Sequence, residues 1–247
     1  MHTRIVIIPT YNEIENIQAI IEKVLSLDPI FDLLIVDDGS PDGTAACVKT
    51  LQQAHPDRIH LLERKGKLGL GTAYIAGFKY ALAKSYEYIF EMDADFSHNP
   101  DDLIRLYDAC ANQGAFMSIG SRYINGVNVV NWPIGRVLMS YFAGFYVRFI
   151  TGMPIQDATA GFVCYRRKVL ETIPLDQIKF IGYAFQVEMK FTTWKYGFKM
   201  IEVPIIFTDR TKGESKMSAN IFKEAIFGVI QLKVNSLFKR YQANNGL

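Results

Sequence analysis

Short apolar runs recur along the first half of the chain, each ended by turn residues and followed by a helical pattern. Arg4 to Ile8 is rich in Ile and Val and stops at Pro9. Glu13 to Leu27 then places Ile14, Ile17, Ile20, Ile21, Val24 and Leu25 at the three-and-four spacing of an amphipathic helix. The unit repeats: Leu33 to Val36 reads as a strand, Asp37 to Gly43 as a turn-rich loop, Thr44 to Ala54 as a helix. Ile59 to Leu62 leads through Glu63-Arg64-Lys65-Gly66-Lys67 to a helix over Leu68 to Ala83, and Tyr88-Ile89-Phe90 is followed by a helix over Asp101 to Asn112. Ala115 to Ile119 is a fifth strand, ending in Gly120-Ser121-Arg122-Tyr123. Strands alternating with helices at this spacing predict right-handed crossovers and a mainly parallel α/β sheet flanked by helices. Its ligand crevice lies at the carboxyl ends of the strands.

Beyond Tyr123 the alternation stops. Trp132 to Gly152 is almost wholly apolar and aromatic, with Arg136 and Arg148 near its ends, and reads either as a buried core helix or as a helix lying in a membrane interface. Asp157 to Tyr165 reads as loop, Phe185 to Tyr196 as helix, and Met200 to Phe207 as a strand that Pro204 confines to an edge. Asp209 to Lys216 has the polar, basic, Gly-containing composition of a flap. The tail from Ser218, an N-cap candidate, to Arg240 places Ile221, Phe222, Ala225, Ile226, Val229 and Leu232 on one stripe. The expected division is a catalytic domain over 1–217 and an amphipathic interfacial helix and tail over 218–247.

Bulk composition narrows the function classes. With 247 residues and 49% hydrophobic content the chain can bury a full core, and a net charge of +2 provides no global field for nucleic acid. Cys47, Cys110 and Cys164 are odd in number and far apart, which disfavours a disulfide framework and a Cys-based metal site and fits a reducing cytoplasm. The apolar run before Pro9 is too brief for a secretory segment, and no stretch reaches the roughly 18 apolar residues of a spanning helix.

The chemistry concentrates at Met92 to Pro100, MDADFSHNP. Asp93 and Asp95 follow a buried strand, and residues two apart on an extended segment point the same way. Two such carboxylates repel unless a cation joins them; hard oxygen ligands suit Mg²⁺ or Mn²⁺, ions that commonly also hold phosphates. A plain acidic turn is the alternative. The Gly66 to Gly77 run, GKLGLGTAYIAG, has a G-x-G without the third glycine of a dinucleotide fingerprint, so an oxidoreductase is disfavoured. A nucleotide-sugar transferase accounts for more: Asp93 and Asp95 as metal ligands, Pro9, Tyr11, Glu13 and the Asp37-Asp38 pair on the first two loops, and Arg122, Arg210 and Lys216 as cations for phosphate. Lys67 reads as a solvated lysine or a phosphate contact, and Asp157 as a loop cap or a group assisting a substrate.

Six blocks carry a resemblance: IVIIPTYNEIENI at 5–17, VDDGSPDGT at 36–44, GKLGLGTAY at 66–74, EMDADFSHNP at 91–100, GSRY at 120–123 and RTKGESKMS at 210–218. Together they resemble the polyprenol-phosphate (dolichol-phosphate) mannosyltransferases of glycosyltransferase family 2. The resemblance implies a GT-A fold and metal-dependent, inverting transfer of mannose from GDP-mannose to a polyprenyl monophosphate. Because a polyprenyl chain leaves the bilayer only at high cost, the enzyme is expected to sit peripherally at the cytoplasmic face of a membrane, held by the Trp132 to Gly152 segment and the Ser218 to Arg240 helix. It implies Asp93 and Asp95 as metal and donor aspartates, with Pro9, Tyr11, Glu13 and Asp38 around the nucleoside. Arg122 matches the arginine that meets donor and acceptor phosphates, Arg136 and Ser140 fall where the lipid phosphate is gripped, and Arg210 and Lys216 match the closing loop. Some relatives have Gln where this chain has Ser97. Two alternatives stay open: a family 2 enzyme using UDP-glucose or UDP-N-acetylglucosamine, and a non-catalytic lipid-phosphate-binding protein of the same fold.

Overall fold

The computed structural model describes residues 2–210 and 220–241. The first half alternates strands and helices: β1 (Arg4–Thr10), α1 (Ile14–Leu25), β2 (Asp32–Asp37), α2 (Thr44–Ala54), β3 (Ile59–Glu63), α3 (Leu70–Ala83), β4 (Tyr88–Glu91), α4 (Asp102–Ala111) and β5 (Met117–Ser121). After a two-residue strand, β6 (Val129–Val130), come α5 (Ile134–Thr151), β7 (Val163–Arg166), α6 (Arg167–Thr172), one turn of 3₁₀ helix (Leu175–Gln177) and α7 (Tyr183–Lys195). β8 (Met200–Pro204), β9 (Phe207–Thr208) and α8 (Asn220–Phe238) complete it.

The main sheet runs β3-β2-β1-β4-β7-β5-β8, and β6 pairs with β9 in a small second sheet. The expected mainly parallel α/β architecture is present: β1 is parallel to β2 and β4, β2 to β3, and β5 to β8. The loop expected over Asp157 to Tyr165 is corrected at its end. Val163-Cys164-Tyr165 enters the sheet as β7, antiparallel between β4 and β5, and the small residues ahead of it hid a short apolar run. β8, bearing Pro204, is an edge strand, as a missing backbone donor requires.

Each central strand divides its side chains between two cores, as the period of two dictates. Ile5, Ile7, Leu34, Val36 and Ile89 face a layer that includes Tyr74 and Phe78 of α3, Phe185, Met189 and Phe191 of α7, and Val229 and Leu232 of α8. Val6, Ile8, Leu33, Ile35 and Phe90 face Ile17, Ile20 and Val24 of α1 and Leu103 and Leu106 of α4. The three cysteines are free.

Reading Trp132 to Gly152 as a buried core helix does not hold. In α5 only Gly144, Val147 and Thr151 are buried, while Ile134, Phe142 and Phe149 are 74%, 61% and 76% exposed. α8 docks Val229 and Leu232 of its expected stripe on the core and leaves Phe227, Ile230, Val234, Leu237 and Phe238 exposed. The expected N-cap Ser218 lies outside the described residues. No helix among them is long and apolar enough to cross a membrane.

α3 lies unusually close to β1 because Gly77 has no side chain: a Cβ there would sit 2.6 Å from Cγ2 of Ile7. Overpacking of this kind costs about 1–3 kcal/mol, and the better helix propensity of alanine returns up to about 1 kcal/mol. Gly77→Ala should therefore lower unfolding free energy in urea, and adding Ile7→Val should recover part of the loss; equal midpoints for wild type and Gly77→Ala would contradict this packing.

Candidate active site

The loops at the ends of β1 and β2 are stitched together by their own polar side chains. Asn12 N–H donates to Ser40 Oγ at 3.0 Å, Glu13 N–H to Thr44 Oγ1 at 3.0 Å and Ile14 N–H to Asp42 Oδ2 at 3.0 Å, so α2 starts against the start of α1. Asp37 turns inward, accepting from Thr10 Oγ1 and from the Ser40 N–H and hydroxyl. Asp38 is gripped from both oxygens by Arg64, Nε at 2.6 Å and Nη2 at 2.8 Å, and Arg64 also donates to Thr72 Oγ1 at the start of α3. The Lys67 ammonium lies 5.3 Å from the Tyr11 ring centroid, closing this pocket from the third loop. Glu13 is 9% exposed and accepts from Asn16 Nδ2.

At the end of β4 the chain enters the tight turn that carries both aspartates. Phe96 adopts a left-handed conformation, φ 60°, rare for a bulky residue. Ser97 N–H donates to Asp95 Oδ1 at 3.1 Å, and Asp93 N–H donates to Nδ1 of His98 at 3.3 Å, which leaves the imidazole proton on Nε2. His98 is 3% exposed and stacks on Phe162, with ring centroids 4.8 Å apart. Burial pushes its pKa down to about 4, so it is neutral at pH 7. Burial, and then the Asp95 carboxylate beside it, push the Asp93 carboxyl upward. That rise is tempered by the 39% of its side chain that still faces the crevice. Asp95, 7% exposed, moves the other way: burial alone would raise it, but Ser97 and the Arg210 guanidinium hold it below the usual carboxylate range.

Three arginines are linked to this turn, Arg210 directly and Arg136 and Arg122 through intervening side chains. Arg210 Nη2 lies 2.7 Å from Asp95 Oδ2. Asp209 accepts from the Arg210 N–H and from Arg136 Nη1, the latter at 2.9 and 3.0 Å. The Arg136 guanidinium sits 4.1 Å from the Trp132 ring centroid. Arg122, 8% exposed, lies over Tyr123, Trp132 and Phe207 at 5.3, 5.6 and 5.5 Å, and Phe207 also meets the His98 ring. Asp157 holds Arg122 through the backbone N–H at 2.9 Å, Nε at 2.7 Å and Nη2 at 2.6 Å, while Thr159 Oγ1 accepts from the same Nη2 at 2.9 Å. Asp157 is in turn fixed by its own N–H donating to Glu202 on β8. Burial alone would raise the Asp157 carboxyl, but the Arg122 guanidinium outweighs it and the net shift is downward. Ser140 lies one helical turn beyond Arg136 on the same helix.

The donor set of this site suits a hard divalent cation. Two carboxylates are crowded at one strand end, and among the described residues no group of three or more His, Cys, Asp or Glu side chains completes a closed protein cage. An ion held there would take its other ligands from water and from the oxygens of a diphosphate, as Mg²⁺ habitually does.

The sequence matches the family model described as "Glycosyl transferase family 2" over residues 5–174, a span that includes every one of these loops except the one after β9. The chain belongs to glycosyl transferase family 2. This transferase is 47% identical over 236 residues to the polyprenol monophosphomannose synthase of Mycolicibacterium smegmatis, covering 96% of this chain and 89% of that one. It is 43% identical over 241 residues to the undecaprenyl-phosphate mannosyltransferase of Micrococcus luteus, covering 98% of each. Among solved structures, the glucosyl-3-phosphoglycerate synthase of Mycobacterium tuberculosis in complex with Mn²⁺, UDP and glucosyl-3-phosphoglycerate superposes with a TM-score of 0.66 over 96% of this chain and 81% of that chain, at 16% identity. A mannosyltransferase of Pyrobaculum calidifontis in complex with GDP-mannose and Mn²⁺ gives 0.57 over 96% and 74%, also at 16% identity. At such identity these two likenesses speak for the fold, which is GT-A.

Of the candidate residues of this transferase, Asp95, Arg210, Arg136 and Arg122 form one connected cluster, and Asp93 faces the crevice beside it. Pro9, Tyr11, Glu13 and Asp38 line the adjoining first and second loops, and Lys216 lies outside the described residues. Two ion-pair partners escaped the sequence reading: Arg64, which was only one cation of a basic loop, and Asp209, which was only the first residue of a flap. Asp157 and Arg122 are both visible as candidates in the sequence, but their pairing is not.

Losing one partner of a buried ion pair costs about 3–5 kcal/mol. Asp157→Asn should therefore destabilise the transferase by roughly 3 kcal/mol in denaturant melts at pH 7. The carboxyl is depressed in the folded state, so its contribution is fully present above its unfolded pKa near 4 and fades as pH falls through the folded value. The gap between wild type and Asp157→Asn should close in acid; a gap that widens below pH 4 would contradict the assignment.

Proposed function

We propose that this enzyme transfers mannose from GDP-mannose to a polyprenyl monophosphate, with inversion, at the cytoplasmic face of a membrane, and that it requires Mg²⁺ or Mn²⁺. The observation that carries this reading is the joining of the carboxylate turn, through Arg210 and Asp209, to Arg136 at the start of α5, the helix that also presents an exposed apolar surface. Both curated relatives described above are named for mannosyl transfer to, or synthesis of, a polyprenyl phosphate sugar.

In this reading Pro9, Tyr11, Glu13 and Asp38 hold the nucleoside, with Arg64 fixing the Asp38 carboxylate. Asp93 and Asp95 hold the metal, whose chemistry when bound is to neutralise charge growing on the leaving diphosphate. Arg210 and Lys216 meet the diphosphate from the loop after β9. Arg122, Arg136 and Ser140 receive the acceptor phosphate. A phosphate oxygen attacks the anomeric carbon, the bond from that carbon to the donor's β-phosphate oxygen breaks, and GDP leaves. The acceptor is already an anion at neutral pH, so the protein's task is alignment and charge balance rather than proton abstraction.

The lipid substrate explains the exposed surface. Drawing a polyprenyl chain into water costs about 0.8 kcal/mol per CH₂, so the site must come to the headgroup layer. Ile134, Phe142, Phe145 and Phe149 of α5 and Phe227, Leu237 and Phe238 of α8, each more than half exposed, provide the apolar contact, and Arg148, Lys239 and Arg240 the cationic one.

A panel of labelled nucleotide sugars incubated with polyprenyl phosphate and Mn²⁺ tests the chemistry. GDP-mannose should transfer, excess EDTA should abolish the reaction, and Asp95→Ala should abolish it while leaving the circular dichroism spectrum unchanged. Transfer from UDP-glucose or UDP-N-acetylglucosamine but not GDP-mannose would overturn the donor, and turnover in excess EDTA the metal. Flotation with anionic liposomes tests the surface: binding should have a salt-sensitive and a salt-resistant part. Protein that stays unbound at low and high salt, even with polyprenyl phosphate in the vesicles, would refute membrane association.

A further inference from the structure

A fully buried polar chain runs beneath the site, and the chemistry above makes no use of it. Glu91 is the last residue of β4, two before Asp93, and is 0% exposed. Its Oε1 accepts from the Tyr165 hydroxyl at 3.1 Å, and its Oε2 from Gln186 Nε2 at 2.5 Å. The other end of that amide, Gln186 Oε1, accepts from the Lys190 ammonium at 3.1 Å. Lys190, also 0% exposed, sends a second hydrogen bond to the Ala160 carbonyl at 2.6 Å and a third to the Gln186 carbonyl at 3.3 Å, so all three of its protons are used. Gln186 and Lys190 are four apart on α7 and therefore share a face.

The two ends of this chain lie in the two halves of the site. Glu91 ends the strand that delivers Asp93 and Asp95. Ala160 belongs to the loop that carries Asp157 and Thr159, the partners of Arg122, and its own N–H donates to the Asp157 carbonyl. The sheet does not set this spacing alone, because the β4–β7 ladder ends at the pair Glu91 and Val163; one residue further on, the Met92 N–H donates to the Ile7 carbonyl of β1, and the Phe162 carbonyl accepts from the Gly120 N–H of β5 rather than from Met92. Stability does not explain the chain either. Buried charges of opposite sign are commonly no better than apolar residues of similar volume, and here Gln186 stands between the two, with Lys190 also under the influence of Asp157, Glu202 and Arg122.

We propose that Lys190 and Gln186 are positioning residues, which tie the strand end before Asp93 to the loop that holds Arg122 and so set the distance between the donor carboxylates and the acceptor-side guanidinium. The proposal rests on the functional reading only in giving Asp93, Asp95 and Arg122 those roles. Both charges can be removed together, which separates positioning from stability. Lys190→Met alone leaves Glu91 without its cation and should lower the thermal midpoint; the pair Glu91→Gln with Lys190→Met should recover most of that loss. The connection stays broken in the double variant. Amide exchange across residues 156–161 should then run roughly tenfold or more faster than in wild type, with β1 unchanged. The ratio of transfer to hydrolysis of the donor should fall by roughly tenfold or more, because a displaced acceptor loses alignment while water does not. Mn²⁺–GDP affinity should stay within about threefold of wild type, because its ligands remain in place.

If the double variant does not fold, Gln186→Met keeps both charges, removes the relay, and should produce the same two changes. Wild-type exchange at 156–161, or an unchanged ratio, in a folded variant overturns the proposal. A wild-type enzyme that transfers nothing from GDP-mannose would overturn the substrate reading instead, and the exchange measurement would still decide this one.

Discussion

Two carboxylates brought together at the end of one buried strand impose the condition that the surrounding structure satisfies. Asp93 and Asp95 leave β4 side by side, Asp95 almost wholly buried and Asp93 partly open to the crevice, and like charges so placed are costly without a cation. The protein's own answer is Arg210 at 2.7 Å from Asp95, together with a turn whose backbone N–H groups are spent on Asp95 and on His98. His98 must be neutral for this to work, since its Nδ1 accepts a hydrogen bond, and burial keeps it so. The loop after β9, far away in sequence, is thereby tied to the loop after β4.

The same balance governs the other cations. Arg64 is held by Asp38, Arg122 by Asp157 and Arg136 by Asp209, so each guanidinium at the crevice has a carboxylate of its own. Within these pairs each positive charge is balanced by a carboxylate. In the proposed reading the site selects its phosphate by geometry rather than by bulk charge. A phosphate competes with an existing carboxylate partner only if it offers several oxygens in the fork of the guanidinium, as a phosphate monoester does. The aromatic rings of Tyr123, Trp132 and Phe207 keep Arg122 in place and out of bulk water, which strengthens that discrimination.

What could be read in the sequence was local, and what could not was long-range. The period of the strands and helices, the paired aspartates and the Gly-rich and basic loops are each contained within about a dozen residues, and their positions hold to within a few residues of the elements observed. Pairings across the chain carry no such signal. Arg122 and Asp157 are 35 residues apart, Arg64 and Asp38 26, and Gln186 and Glu91 95; one sequence does not say which acid meets which base. β7 was hidden for a related reason, since an antiparallel strand inserted between β4 and β5 interrupts the alternation by which the other strands were recognised. For α5 the ambiguity was physical: a helix apolar nearly all round suits a protein core and a lipid interface equally, and exposure alone separates them.

That exposure also constrains how α5 would meet a membrane in the proposed reading. Its exposed apolar residues extend from Ile134 in the first turn to Phe149 in the last, a distance of about 22 Å at 1.5 Å per residue. A helix entering lipid end-on would confine its apolar residues to one end; distribution along the whole length requires the axis to lie parallel to the surface. α8 packs against α5 and also exposes apolar residues along its length, from Phe227 near the middle of the helix to Phe238 at its end. Arg136 is fixed on this same helix by Asp209 and the Trp132 ring, so its height above the lipid is set by how deeply the aromatic side chains of α5 sink. Side chains of that size reach only the boundary between headgroups and acyl chains, about 5–10 Å deep for interfacial helices. In that reading a lipid phosphate would lie at that level, and the acceptor would not need to leave the bilayer to meet the guanidinium.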